Sequence, residues 1–227
     1  AEIPLGGYHM TEIIDECGTA HWNGPGSELV RAAKVANADC VKFQLFVLDE
    51  PLFCPLPGDE NRWDRWMDSV LPLGAWRGAQ QQCQALGIDL LFSVFQHGGL
   101  RMAKELGCKR IKVASRAAHT FPYRDWDGEF LVSTGMGRPQ DLAFARKVTW
   151  MQCVMQYPTP LLKARWDETR GEGLSDHSGS PWPAIDAMAR GCRIVEVHVD
   201  GMPGSLSFEQ LKLICGARDA IAQMQAS

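Results

Sequence analysis

Two histidines close apolar runs in the last third of the chain, His177 in GLSDHSG and His198 in IVEVHVD, and two lysines lie inside apolar runs upstream, Lys42 in CVKFQ and Lys112 in RIKVAS. An ammonium group is rarely buried without a partner. Each lysine therefore either lays its stem on a neighbouring helix with its head in water, or meets an anion inside the fold. Two such lysines, together with serines at the ends of other runs (Ser115, Ser133, Ser175), favour a phosphate or carboxylate site held by charge-assisted hydrogen bonds. The two imidazoles with a carboxylate such as Glu16 have the composition of a divalent-metal site with open positions, suited unequally to manganese, iron, zinc or magnesium. The alternative is that each ring only hydrogen-bonds a backbone carbonyl. His21, in GTAHWNG, reads equally as a catalytic residue or as a turn residue capping the next helix, with Asn23 and Gly24 supplying the turn chemistry.

These residues need elements that bring them together. Short apolar or β-branched runs recur at 12–17, 40–46, 88–95, 110–115, 129–134, 149–155, 171–176 and 193–199. Between them, segments at 27–38, 74–87, 99–107, 138–148, 180–191 and 207–224 carry helical spacing, and several end at glycine or asparagine. Alternation of this kind predicts parallel strands joined by crossover helices, and the continuously apolar strands suit a sheet buried on both faces. Eight repeats in 227 residues favour one closed (β/α)8 TIM barrel over an open doubly wound sheet. The stretches 116–128 and 160–170 leave little room for full helices. Residues 46–74 break the rhythm with prolines and clusters of acid, tryptophan and arginine, and read as an irregular insertion, a lid over the site or a contact surface. In a barrel the strand C-termini converge at one mouth, so the residues ending the runs, including Gln44, Ser93, Tyr157, Asp176 and Glu196, become neighbours of the lysines and histidines there.

Bulk properties exclude more than they assign. An apolar fraction of 45%, a charged fraction of 22% and a net charge of −4 describe an ordinary globular chain with no basic field for nucleic acid. No apolar run is long enough to cross a membrane, and the N-terminus lacks the pattern of a secretory signal, so a cytoplasmic protein without a membrane partner is expected. The eight cysteines are dispersed and form no C-x-x-C pair, as reduced structural thiols would be.

Taken in order, the stretches resemble the sialic acid (N-acetylneuraminate) synthase family, barrel enzymes that condense phosphoenolpyruvate with an N-acetylated hexosamine. IIDECGTAHWNG resembles the family's I-A-E-I-G-x-N-H-N-G; ADCVKFQ resembles A-D-A-V-K-F-Q; IKVAS resembles Y-K-I-A-S. VSTGM, CVMQYPTP, GLSDHSG and IVEVHVD follow with counterparts of S-T-G-M, C-x-x-x-Y-P-T-P, G-Y-S-D-H-T and I-E-K-H-F-T. The resemblance runs from about residue 11 to 212 and concerns the barrel domain only, without the family's C-terminal antifreeze-like domain. It implies that Lys42, Lys112, Ser115, Ser133 and Ser175 hold phosphoenolpyruvate and that His177 and His198 bind Mn2+ or Mg2+. It places Glu16, Gln44 and Tyr157 on the sugar side and makes Glu16, His21 and Lys42 the catalytic candidates. The expected substrates are phosphoenolpyruvate and an aldose, and the expected product is a nonulosonic or other 3-deoxy-2-ulosonic acid.

The departures gather where the sugar would bind. Val94 replaces a threonine of the family pattern, Met155 an asparagine that contacts the amino sugar, and Val197 a lysine, and the loop after the eighth strand is short. A methionine offers neither donor nor acceptor, so an acceptor other than N-acetylmannosamine is expected. Any homodimer has to rest on the barrel and the 46–74 segment. Two other readings stay open: a pyruvate aldolase forming a Schiff base on Lys42 or Lys112, and a non-catalytic or partner-dependent barrel that retains the anion and metal pocket.

Overall fold

Each apolar run becomes one strand of a closed barrel. In the computed structural model, which describes residues 10–23, 26–139, 142 and 147–225, the strands are β1 (Glu12–Glu16), β2 (Cys40–Leu45), β3 (Asp89–Val94), β4 (Arg110–Val113), β5 (Glu129–Ser133), β6 (Lys147–Gln152), β7 (Gly173–Asp176) and β8 (Ile194–His198). Every neighbouring pair is parallel and β8 pairs back onto β1, so the sheet has no free edge. The helices are α1 (Gly26–Val35), α2 (Glu60–Asp68), α3 (Leu73–Leu86), α4 (His97–Glu105), α5 (Trp182–Ala189) and α6 (Phe208–Gln225). The described residues form one (β/α)8 TIM barrel, as the alternation of elements predicted. The stretches too short for full helices hold single 3-10 turns at Ser115–Ala117, Tyr123–Asp125, Leu161–Lys163 and Glu168–Arg170. Gly24 and most of the helix expected over 138–148 lie outside the described residues.

Strand alternation sorts the side chains into two populations. On β2, Val41, Phe43 and Leu45 join the layer between sheet and helices, whereas Cys40 and Lys42 point into the barrel. Ile14, Cys40, Leu91, Leu131, Met151 and Ile194 close the lumen as one apolar layer. Gly173 leaves room there for the Met151 side chain, which a Cβ would displace while also pressing on the Ile194 carbonyl oxygen (3.0 Å). Below this layer Arg110 donates to Glu12 across the barrel floor (Nη1 to Oε2, 2.7 Å). The lumen is therefore a packed core up to the apolar layer, and only its C-terminal end is left for chemistry. All eight cysteines are unpaired and seven of them are buried.

The 46–74 segment is less irregular than its prolines suggest, since it contains α2. Trp63, Trp66 and Met67 fall at helical spacing, and Trp66 stacks on Phe46 (centroids 5.2 Å apart), which stacks in turn on Phe95 (4.9 Å). Phe46, Leu52, Trp66 and Phe95 thus make a small core of their own beside the barrel. Arg116, in the turn after β4, fastens the segment to the wall. It makes a two-pronged ion pair with Asp59, donates to the Cys54 carbonyl (3.0 Å) and lies over the Trp66 ring (5.2 Å). Nine residues with this polarity hold a helix through such tertiary contacts rather than by propensity. Arg116→Met is expected to cost about 3 kcal/mol, the scale for removing one partner of a buried pair, and to speed proteolysis within 46–72; chemical denaturation and limited proteolysis measure both.

Candidate functional site

Four strands bring four opposite charges together on top of the apolar layer. Glu16 ends β1, Lys42 lies on β2, Lys112 on β4 and Glu196 on β8, and all four are buried. Glu196 bridges the lysines, with Oε2 3.1 Å from Lys42 Nζ and Oε1 3.1 Å from Lys112 Nζ. Glu16 forms a close ion pair with Lys42 and accepts the Gly18 N–H on its other oxygen (2.6 Å). Serines fill the gaps: Lys42 donates to Ser93 Oγ (2.9 Å), Lys112 to Ser133 Oγ (2.8 Å), and Ser175 Oγ–H to Glu196 (2.7 Å). Burial pushes the Lys42 ammonium down to about 7, with Glu196 pulling the other way. Burial also opposes the charge on Glu196, but Lys112 and Lys42 outweigh it and hold that carboxyl well below its usual range.

Directly above this ring stand the two histidines. Their rings are edge to face with centroids 4.9 Å apart, and Tyr157 stacks on His177 at 4.0 Å. His177 Nδ1 lies 2.8 Å from the Val154 carbonyl, which can only accept, so Nδ1 carries the proton and Nε2 presents its lone pair to the mouth. The Tyr157 hydroxyl, 2.9 Å away, donates to that lone pair. Burial lowers His177 to about 3, followed by the influence of His198, which keeps the imidazole neutral at ordinary pH. A neutral ring fixed by a carbonyl on its far nitrogen is how a metal-binding histidine is usually held. His198 has Asp200 on its Nδ1 side at 3.6 Å. The pair thus supplies two nitrogen donors; among the described residues no group of three His, Cys, Asp or Glu encloses a metal.

The match to known proteins follows the same strands. The model of the NeuB family matches residues 29–203, which span β2 to β8 and include both lysines and both histidines. The chain belongs to the NeuB family. The membership agrees with the resemblance to sialic acid synthases carried by the ordered motifs. N,N'-diacetyllegionaminic acid synthase of Legionella pneumophila is similar at 26% identity over 265 residues, covering 96% of this chain and 74% of that protein. Among solved structures, the N-acetylneuraminic acid synthetase of Leptospira borgpetersenii superposes with a TM-score of 0.71 at 19% identity over 99% of this chain and 90% of that one. A spore coat polysaccharide biosynthesis protein E of Chromobacterium violaceum gives 0.76 at 19% identity over 94% and 75%. At these identities the structural likenesses speak for the fold.

Within this NeuB barrel most of the expected residues converge. Glu16, Lys42, Lys112, Ser133, Ser175, His177, His198 and Tyr157 are linked by the contacts above. Ser115, in the turn after β4, stands at the rim and accepts the Met136 N–H (2.7 Å); a Cβ on Gly135 would meet Cys153, Met155 and Ser115 within 2.9 Å, so this wall is closely packed. Gln44 is half-buried two residues beyond Lys42, on the same face of β2. His21 is the exception. Its Nε2 faces the Ser69 carbonyl (2.8 Å) and its ring packs edge-on against Phe43 and Trp76, in the layer between sheet and helices. The 3-10 turn Ala20–Asn23 carries it away from the mouth, so the catalytic role expected of His21 is corrected to a packing role. Two residues of this cluster received no role from the sequence, Glu196 and Ser93. Both lie an even number of residues from an assigned inward residue or beside one in register (Glu196 to His198, Ser93 to Lys112), and that alternation was the available signal.

Lys42→Met is expected to cost about 3 to 5 kcal/mol by leaving Glu16 and Glu196 undercompensated in the interior. The double variant K42M/E16Q should lose at least about 1 kcal/mol less than the sum of its parts, the signature of directly coupled charges. Urea denaturation of the four proteins measures the cycle, and strictly additive costs would dissociate Lys42 from Glu16.

Proposed function

We propose that this NeuB-family protein is a phosphoenolpyruvate-dependent synthase that joins the enol to an aldose. In the reaction, C3 of phosphoenolpyruvate forms a bond with the aldehyde carbon of the open-chain sugar, water adds at C2, and the C2 carbon gives up inorganic phosphate. The products are a 3-deoxy-2-ulosonic acid, nonulosonic when the acceptor is a hexosamine, and phosphate. The observation that carries the reading is the pair of buried ammonium groups, each already on a serine hydroxyl, below two paired imidazoles at one barrel mouth. Phosphoenolpyruvate carries about three negative charges, and such an array of donors grips phosphate and carboxylate with charge-assisted hydrogen bonds. On binding, the anion takes over donors that Glu196 now shares. Ser115 and Ser133 border the same pocket. Glu16, beside Lys42 and within reach of the acceptor side, is placed to orient a hydroxyl or move a proton.

His177, through Nε2, and His198, through a ring nitrogen, would hold the divalent ion, Mn2+ or Mg2+, and the Tyr157 hydroxyl has to leave His177 Nε2 to admit it. When bound, such an ion supplies a Lewis acid for the aldehyde oxygen. Gln44 and Tyr157 then line the sugar side. Met155, half-exposed beside Gly135, offers the acceptor no polar contact, which argues for a sugar other than N-acetylmannosamine.

A second reading has one observation in its favour: burial pushes Lys42 down to about 7, where a fraction of the protein carries the free amine that imine formation with pyruvate needs. Borohydride reduction with pyruvate would leave a covalent adduct on that reading and none on the first.

Phosphate release is expected only when phosphoenolpyruvate, an aldose and a divalent metal are all present. Chelation should stop it and added Mn2+ or Mg2+ restore it. Lys112→Met should lower kcat/KM for phosphoenolpyruvate by about 100-fold or more, the scale for losing one preorganised donor. A folded protein that releases no phosphate across a broad aldose panel would overturn the assignment.

A further inference from the structure

The α2 helix places an arginine at the mouth with no acid to answer it. Arg65 is half-buried; its Nε is inaccessible to solvent and without a hydrogen-bond partner, and Nη1 lies 3.2 Å from the sulfur of Met202. Among the described residues no carboxylate pairs with it. The contrast with three other arginines is plain. Arg116 also has an unpartnered Nε, but its remaining nitrogens hold Asp59; Arg110 holds Glu12 and Arg218 holds Asp39. The contact with Met202 lies at the surface, and a thioether is a weak acceptor that returns little for the Nε kept from water.

Its surroundings belong to the mouth. Met202 follows β8 and donates its backbone N–H to Asp200 (3.1 Å), the acid beside His198. Asp200 itself is committed elsewhere, to His198, Ser205 and Met202. Tyr157, which bonds His177, stands at the same mouth. Arg62 is exposed on the turn of α2 before Arg65. The acceptor sugar, with its aldehyde at the histidines, would extend outward past Tyr157 and Met155 towards these two cations.

We propose that Arg65, with Arg62 beside it, receives an anionic substituent, a phosphate ester or a carboxylate, at the end of the acceptor sugar remote from its aldehyde. This inference rests on the synthase reading. It makes the acceptor an aldose phosphate or a uronic acid rather than a neutral sugar. The planar fork of Arg65 suits both anions bidentately, the flexible Met202 is easily displaced, and the apolar Met155 leaves charge rather than amide contacts to select the sugar.

The test measures kcat/KM by consumption of phosphoenolpyruvate, with metal present, for a neutral hexose or hexosamine, its 6-phosphate and its uronic acid. The unaltered protein should prefer one charged acceptor over its neutral counterpart at least tenfold, about 1.4 kcal/mol. That preference should collapse towards one in Arg65→Met and survive in part in Arg65→Lys, with circular dichroism verifying that both variants fold. Equal use of charged and neutral acceptors, or a preference unmoved in Arg65→Met, would overturn the inference. If no acceptor of any kind is consumed, the synthase reading fails by itself, and calorimetric titration with the same sugars decides on Arg65. Binding of the charged sugar alone, weakened at least tenfold in Arg65→Met, sustains it, and no such difference defeats it.

Discussion

One carboxylate, Glu196, holds the upper half of this barrel in order. Lys42 and Lys112 stand on strands separated by β3, and without an anion between them two ammonium groups this deeply buried would repel each other in a medium that screens them poorly. Glu196 reaches across from β8 and places one oxygen on each. The oxygen that faces Lys112 also accepts the Ser175 hydroxyl. On the proposed reading, an incoming anion meets donors that are already aimed instead of ordering loose side chains. Such preorganisation is where electrostatic catalysis gains most.

The barrel makes this arrangement available through its layers. Alternation gives each strand one inward residue per two, and closing eight strands stacks those residues in rings. The ring formed by Ile14, Cys40, Leu91, Leu131, Met151 and Ile194 is apolar. Two residues further along several of the same strands stand Glu16, Lys42, Ser93, Ser133 and Glu196. The apolar ring is the reason the charged one is stable only when internally neutral: nothing beneath it can solvate an excess charge. Two acids and two lysines satisfy that condition, and the neutral His177 above them does not disturb it.

Much of this was legible in the sequence, for one physical reason. A parallel sheet buried on both faces leaves continuous apolar runs, and polar residues are tolerated only where those runs end at the mouth, so Lys42, Lys112, Ser133, Ser175, His177 and His198 declared themselves by position. Glu196 was harder to assign because a carboxylate inside IVEVHVD has no meaning until the lysines that neutralise it are known to lie opposite, and they come from β2 and β4. His21 misled because its motif sits just past a strand end, while the turn that follows rotates the ring outward against Trp76, a residue of α3 more than fifty positions away. The helix α2 was obscured for a similar reason. Its stability comes from Phe46, Phe95 and Arg116, which are remote in sequence, and its own composition resembles a polar loop.

The position of α2 also explains why it is folded at all. A connection of this length between β2 and α3 could run over the surface without regular structure, and loop-closure entropy would barely distinguish the two. Fastening it through Arg116, Asp59 and the Trp66 stack fixes the face that carries Arg62 and Arg65 with respect to the loop after β8. A cation that must select an anion at the rim of a pocket is useful only if its place is set by something other than the ligand, since ordering it at the moment of binding would consume the affinity it provides. The Arg116 anchor and the unanswered charge of Arg65 are, on this argument, two ends of one device: the first holds the helix still so that the second can discriminate.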